Sequence, residues 1–468
     1  MLSKNGYFIP RELFTRDVME DLTATPEIDT KFTTQYKSFP IYIETLNGYY
    51  IPKSYGITKF GYPKKVHTNY KGKEWNENII FNGELYEYQK DIAQNLLDTC
   101  LKHYGAILQL DTGLGKTVIA LNIISKLKGK TIIVVNKVSL LEQWKESIQT
   151  FLPHCKISTI QGRLNTLQEQ QVRESDITIA MIQSLSRIHY DKSLFTDIKT
   201  SIIDEIHNTG SEMFSKIFFK ICSKYSIGLS ATPKRIDNCE KVFKYHIGNI
   251  IETNKKERKG KELVVKKIKL KSDNYIEVKS INRYTREEFL QYSSMITGLI
   301  NMKKRNELIV KIIKDVIQND KGVDEKRKIL VLSDRRAHLE TLSRMLKSDN
   351  VEFSHGLFLG AMKKEELDNS RKCSVILATY QAFGEGVSEK DLNTLILTTP
   401  KKFNKDNDSG KLEQIVGRIF RKPHLELEPI IIDIQDDFSI FSNHSRLRNE
   451  FYRLHFKKCS FQTEEKTL

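Results

Sequence analysis

Gly113-Leu114-Gly115-Lys116-Thr117 sets two glycines ahead of a lysine and a hydroxyl residue, the chemistry of a phosphate cradle. Glycines let backbone N–H groups converge on phosphate oxygens, and a helix starting there adds favourable partial charge. Lys116 then meets the terminal phosphates and Thr117 offers a hydroxyl to Mg²⁺. Thr112 and Leu114 complete the loop, and Leu110 stands where the strict pattern carries its first glycine. Further on, Ser201-Ile202-Ile203-Asp204-Glu205-Ile206-His207 runs an apolar strand straight into two acids. Asp204 is a hard oxygen ligand suited to Mg²⁺. Glu205 is placed to take a proton from an attacking water, and His207 to relay the nucleotide state. A third motif, Gln414-Ile415-Val416-Gly417-Arg418-Ile419-Phe420-Arg421, is a strip of arginine-finger type. Arg418 and Arg421 face one way if the strip is helical, with Gln414 one turn back to orient water or sense the γ-phosphate. A small kinase-like enzyme needs only the first motif; a motor that closes two lobes over ATP uses all three. The combination implies a nucleic-acid-stimulated ATPase.

These groups must be held by strand–turn–helix units. Tyr104-Gly105-Ala106-Ile107-Leu108-Gln109-Leu110 is strand-like, and Thr117 to Leu127 has helical periodicity, the context a phosphate loop requires. Short apolar strands alternating with helices, ending at Ile227-Gly228-Leu229-Ser230, imply a mainly parallel sheet covered on both faces. The runs at Leu330, Val375-Ile376, Thr394-Leu395-Ile396-Leu397 and Ile430-Ile431-Ile432 repeat the pattern in a second lobe.

In this order the motifs resemble those of superfamily-two helicases of DExH type across roughly residues 85–452. Leu85-Tyr86-Glu87-Tyr88-Gln89 is similar to the family's adenine-side element, with Gln89 as base reader. Ile132-Ile133-Val134-Val135-Asn136-Lys137, followed by Leu140, Leu141, Gln143 and Trp144, resembles motif Ia. Thr178-Ile179-Ala180-Met181-Ile182-Gln183-Ser184-Leu185 resembles the next strand-contacting motif. Ser230-Ala231-Thr232-Pro233 is similar to the motif whose Ser230 and Thr232 would couple hydrolysis to domain movement. Ser333-Asp334-Arg335-Arg336 ends a motif IV-like strand, and Leu377-Ala378-Thr379-Tyr380 through Gly384-Glu385-Gly386-Val387 resembles motif V. The resemblance implies nucleic-acid contacts at Asn136, Gln183, Ser184, Arg335, Arg336 and Thr379, and a nucleotide contact at Gly386. Within the superfamily the chain is similar to the XPB-like branch and to transcript-release helicases of poxviruses and other large DNA viruses. Tyr49-Tyr50-Ile51-Pro52-Lys53-Ser54-Tyr55-Gly56, the loop Leu110 to Thr117, and the tail with Asp437, Phe438, Arg446, Arg448 and Tyr452 carry that likeness. Ser388 stands where relatives have an acid that helps bind nucleotide, and Tyr86 where they often have arginine.

The resemblance implies an α/β fold of two tandem RecA-like domains, with parallel sheets covered by helices, plus a small N-terminal accessory module. The expected divisions are an accessory module over 1–82, an ATP-binding domain over 83–250, a basic linker over 251–280 and a second domain over 281–468. The first 82 residues are aromatic-rich and broken by Pro10, Pro26, Pro40, Pro52 and Pro63. They read either as a nucleic-acid contact or as a clasp over the first lobe. Lys255 to Lys261 with Lys266, Lys267 and Lys269 reads as a solvated linker or a phosphate contact. Lys401 to Gly410 reads as a polar surface loop.

Length, composition and charge agree with this reading. A chain of 468 residues with 39% hydrophobic and 29% charged residues has ample core for two or three domains. Its net charge of +16 points to a polyanionic partner. Nucleic acid is expected, DNA ahead of RNA, with ATP and Mg²⁺ as cofactors and transcription-machinery proteins as further partners. No long apolar run, signal peptide or lipidation motif speaks for a membrane. The six scattered cysteines lack C-x-x-C spacing, which fits a reducing compartment. An intracellular monomer is therefore expected, in host cytoplasm or viral factory if the source is viral. Three functions remain open: an ATP-driven DNA translocase or helicase serving viral transcription or transcript release, an RNA-directed DExH helicase, and an ATP-gated clamp.

Overall fold

Every residue of Thr131–Val135 and of Ile329–Ser333 is buried. A strand covered on both faces cannot alternate apolar with polar residues, so such strands read as unbroken aliphatic runs. In the computed structural model these runs build two seven-stranded sheets. One sheet lies in each of two compact units, Met1–Lys256 and Glu257–Leu468. The structure describes the chain except residues 28–36, 67–74, 112, 236, 254–261, 282–285, 320–323, 350, 385–388, 390, 402–411, 413, 414, 421, 423, 457 and 458.

In the first unit the strands are β1 (Gly105–Gln109), β2 (Thr131–Val135), β3 (Ile157–Ile160), β4 (Ile177–Met181), β5 (Thr200–Asp204), β6 (Tyr225–Ser230) and β7 (Ile250–Glu252). They lie in the order β7-β1-β6-β5-β2-β4-β3, with every neighbouring pair parallel. Three helices matter to the site: α1 (Glu87–His103), α2 (Lys116–Leu127) and α3 (Val138–Phe151). Separate apolar clusters cover the two faces, one with Ile119, Ile123, Trp144 and Ile148, the other with Ile182, Leu185, Ile217 and Phe243. The second unit repeats the plan with β8 (Leu263–Lys271), β9 (Ile329–Ser333), β10 (His355–Phe358), β11 (Val375–Thr379), β12 (Thr394–Leu397), β13 (Ile430–Asp436) and β14 (Cys459–Thr467). Their order is β10-β11-β9-β12-β13-β8-β14, again parallel throughout. The tandem α/β architecture expected from the sequence is the one observed.

One stretch differs from expectation. The stretch 251–280, expected as a basic linker, instead gives β7 to the first sheet and β8 to the second. Its residues 254–261 lie outside the described part. Lys266, Lys267 and Lys269 sit on β8, while Val264, Val265, Ile268 and Leu270 are buried. The lysine ends stay at the surface: Lys267 Nζ lies 4.7 Å from the Phe461 ring centroid and Lys269 pairs with Glu465 at 3.4 Å. Long lysine stems can cover apolar surface in this way, so the charge run hid a strand.

The N-terminal segment belongs to the first compact unit. Leu2–Ser3, Gly6–Pro10, Gly48–Ile51 and Ile43–Thr45 form a small antiparallel sheet. The helix Lys53–Phe60 that follows packs Tyr55 against Tyr245, with ring centroids 4.8 Å apart. Lys53, only 3% exposed, donates to the carbonyl oxygens of Tyr104, Ser223 and Lys224 and to the Ser226 hydroxyl at 2.9–3.1 Å. These acceptors flank the first residues of β1 and β6, so Lys53 ties the segment to the sheet. Lys53→Met is expected to strand the Ser223 and Lys224 carbonyls, while Tyr104 O keeps the Ser226 N–H and the Ser226 hydroxyl keeps those of Ser201 and Ser223. It should lower stability by about 3 kcal/mol, read as a drop in urea midpoint, with nucleic-acid affinity of the folded protein unchanged.

Two buried histidines give a pH dependence. Burial holds His246 and His338 down to about 3, aided by the charges of Lys53 and Arg305 respectively. In the unfolded chain each titrates near 6.5. Between these values the unfolded state binds a proton that the folded state refuses, so stability falls as pH falls. By pH 5 the loss is expected to be about 2 kcal/mol per histidine. Urea midpoints measured between pH 7.5 and 5 would show it; a flat profile across that range would contradict the folded-state neutrality.

Candidate active site

The phosphate loop links β1 to α2. Gly113 and Gly115 adopt φ of 87° and 88°, the left-handed region that a side chain disfavours. At Gly115 a Cβ would also fall 2.3 Å from Gln89 Nε2. Lys116 opens α2 and its Nζ donates to Leu110 O at 2.8 Å, spanning the base of the loop. Thr117 follows on the same first turn. Gln89 is 3% exposed; its Oε1 accepts the Tyr86 N–H and its Nε2 donates to Leu114 O, both at 3.0 Å. Both ends of the amide are thus engaged within the protein. Gln89 caps α1 and braces the loop. Beside it, the exposed Tyr86 ring stacks on Tyr88, centroids 5.9 Å apart.

The acidic pair stands at the carboxyl end of β5. Both Asp204 oxygens are held: Oδ2 accepts the Trp144 indole N–H at 2.8 Å and Oδ1 accepts the Glu205 backbone N–H at 3.0 Å. Glu205 adopts φ 49°, ψ 57°, which costs a non-glycine residue on the order of 1 kcal/mol. Burial raises the pKa of both carboxyl groups. The charge of Glu205 adds to the rise at Asp204, while Lys116 opposes the rise at both. Glu205 Oε2 is a buried acceptor with no hydrogen-bond partner among the described residues, and lies 3.4 Å from His207 Nδ1. Burial, with the nearby Arg235 charge, holds His207 down to about 4, so its ring is neutral near pH 7.

His207 Nδ1 also meets Ser230 Oγ at 3.1 Å, and the same hydroxyl accepts the Thr232 N–H at 3.1 Å. One imidazole therefore touches both the acid and the Ser230–Pro233 turn. Two residues given no role from the sequence complete the cluster. The first, Trp144, is 1% exposed on α3 and holds Asp204. The second, Arg235, donates to His207 O and is clamped by Asp237 through Nε at 2.7 Å and Nη2 at 2.5 Å. The Trp144–Asp204 and Arg235–His207 contacts join residues 60 and 28 apart.

The residues expected to contact a nucleic-acid strand lie in both units. Gln183 Nε2 donates to Asn136 O at 2.8 Å, while Asn136 Oδ1 and Gln183 Oε1 are buried acceptors without partners among the described residues. Ser184 is 8% exposed and its hydroxyl accepts the Gly162 N–H at 2.8 Å. In the second unit Arg335 reaches Ser293 Oγ at 2.5 Å and Arg336 pairs with Glu340 at 2.8 Å. Thr379 Oγ1 accepts the Ala382 N–H at 3.1 Å, capping a short helix. Of the tail residues, Arg448 and Tyr452 both bond Asp433 inside the core.

Gly417–Phe420 is a single 3₁₀ turn, and Arg418 is 5% exposed with its guanidinium 5.0 Å from the Phe383 ring centroid. Ile415, Val416 and Ile419 pack into the core cluster and draw the turn inward. Thr112, Gly386, Ser388, Gln414 and Arg421 lie outside the described residues, as do 254–261 of the basic stretch and 402–410 of the polar loop.

The first-unit cluster fits a magnesium nucleotide. Its positive-φ glycines at a helix start suit phosphate oxygens. Among the described residues no group of three or more His, Cys, Asp or Glu could hold a metal by itself. A carboxylate beside a phosphate loop is the donor set that Mg²⁺ shares with a substrate's phosphates. The orphaned Glu205 Oε2 offers a lone pair to water. Among the described residues no helix is long and apolar enough to cross a membrane.

Comparison with known proteins gives concordant results. Residues 82–235 match the family described as type III restriction enzyme, res subunit. A protein of Acanthamoeba polyphaga mimivirus, provisionally named an ATP-dependent RNA helicase, is 31% identical over 97% of this chain and 85% of its own. An African swine fever virus protein bearing the same provisional name is 28% identical over 79% of this chain and 72% of its own. Among solved structures, S. cerevisiae Dbp5 bound to RNA and ADP BeF3 superposes with a TM-score of 0.54. The match covers 80% of this chain and 89% of that one at 13% identity, a likeness of fold.

Proposed function

The chain belongs to superfamily two of the helicases, and from that premise we propose that it is an ATP-driven translocase or helicase acting on DNA. The observation that carries the reading is the His207 ring, shared between Glu205 and Ser230 beside the phosphate loop. It gives a path from the hydrolytic acid to the turn that would respond to the nucleotide. Lys116 with Gly113, Gly115 and Thr112 would bind the phosphates. Thr117 and Asp204 would hold Mg²⁺, which neutralises phosphate charge when bound. Glu205 would accept the proton of the attacking water. Ser230 and Thr232 would couple, and Arg418 and Arg421, with Gln414, would supply charge from the second unit. Residues 83–250 would carry nucleotide binding, and the remainder after 281 the second motor half.

Support for DNA comes from the likeness to the XPB-like branch and to viral transcript-release helicases. On that reading the protein would act beside transcription proteins in host cytoplasm or viral factory. RNA is the second reading, favoured by the names of the mimivirus and African swine fever virus relatives. ATPase activity measured at one salt concentration with single-stranded DNA, duplex DNA and RNA of equal length separates them, because phosphate contacts make affinities incomparable across salts. Stimulation by DNA well above RNA is expected. Stimulation by RNA alone would reverse the assignment, and stimulation by none would remove the nucleic-acid role.

A further inference from the structure

Trp144 is buried in the apolar cluster over one face of the first sheet, among Ile133, Val135, Ile179 and Met181. Its indole has one polar atom, a donor that needs a partner when buried. That donor meets a carboxylate 60 residues away, Asp204 Oδ2, at 2.8 Å. The opposite oxygen, Oδ1, is held by the Glu205 backbone N–H at 3.0 Å. A carboxylate gripped at both oxygens cannot turn about its terminal bond, yet each oxygen keeps a further lone pair for a metal or its water.

We propose that Trp144 is a positioning residue for magnesium: its indole N–H fixes the Asp204 carboxylate and so sets how strongly the metal is held with the nucleotide. The inference rests on the reading of Asp204 as the magnesium acid. A tryptophan present for packing alone would be replaced by phenylalanine with little functional consequence. One that orients a metal ligand acts as hydrogen-bonding partners of ligands generally do, where removal weakens metal affinity about 10–100-fold.

The test uses the full chain and a fluorescent, non-hydrolysable ATP analogue, with and without Mg²⁺. Trp144→Phe is expected to bind the analogue as wild type in the absence of metal. The Mg²⁺ concentration giving half of the metal-dependent gain in affinity should rise about 10–100-fold. Unchanged half-saturation in folded Trp144→Phe, or an equal loss of affinity with and without Mg²⁺, would overturn the proposal. An optical arm covers the case in which that variant does not fold. The chain has two tryptophans, Trp75 and Trp144, so Trp75→Phe leaves Trp144 as sole emitter. Adding Mg²⁺ to its nucleotide complex should change the emission; no change would count against the proposal. Asp204→Asn separates the two layers. If it keeps wild-type Mg²⁺ dependence, the reading of Asp204 fails; if it loses that dependence while Trp144→Phe does not, only the role of Trp144 fails.

Discussion

Glu205→Gln is expected to bind ATP with wild-type affinity and to turn it over about 10²–10⁴-fold more slowly, the range for loss of a positioned general base. The Glu205 backbone adopts φ 49° and its Oε2 is a buried acceptor without a hydrogen bond among the described residues. Strained backbone and an unsatisfied lone pair are costs that a purely structural acid would not need to carry. Glutamine keeps the shape and removes the basicity. Lys116→Ala supplies the contrast: its ammonium spans the loop to Leu110 O, and its loss should remove nucleotide binding and turnover together. Equilibrium binding of labelled ATP beside single-turnover hydrolysis reads both. If Glu205→Gln lost affinity and turnover in parallel, the acid would be a loop-positioning group and the base would have to be sought elsewhere.

Much of the fold was legible because parallel strands buried on both faces have few ways to be written. Thr131–Val135, Thr394–Leu397 and Ile430–Ile432 are plain aliphatic runs, and each is a strand. The phosphate loop and Asp204-Glu205 were legible because their chemistry is local in sequence. What escaped was carried by tertiary contacts. Strand β8 was hidden by lysines whose stems lie along the sheet. Strand β14, Cys-Ser-Phe-Gln-Thr-Glu-Glu-Lys-Thr, is largely exposed at the sheet edge, so no apolar run marks it. The N-terminal segment is tied to the first sheet by one side chain, Lys53, whose acceptors lie 51 to 173 residues away.

The candidate site shows the same division at finer grain. The resemblance implied Gln89 as base reader; the structure adds that its amide bonds the Tyr86 N–H and Leu114 O. Ser184 and Thr379 were singled out by motif position, yet each hydroxyl accepts a backbone N–H nearby. Trp144 and Arg235 gain their importance from partners that sequence distance conceals.

Arg421→Ala is expected to reduce nucleic-acid-stimulated turnover about 10³–10⁵-fold, the contribution of an arginine that stabilises transition-state charge in phosphoryl transfer. Nucleotide affinity should change little, because the phosphate loop that supplies it is built within the first unit. Arg418→Ala needs separate treatment. Its guanidinium is buried against Phe383, so truncation removes packing and a cation–π contact as well as charge. That variant should therefore lower the melting temperature of the second unit along with turnover, whereas Arg421→Ala should leave the melting temperature in place. Arg418→Lys refines the comparison, since it keeps the charge and loses the planar fork and its stacking. If Arg421→Ala retained stimulated turnover near wild type, the arginine strip would be a structural turn of the second unit. A finger for the nucleotide would then have to come from Arg418 or from outside this chain, and only in the first case would folded Arg418→Lys be strongly impaired.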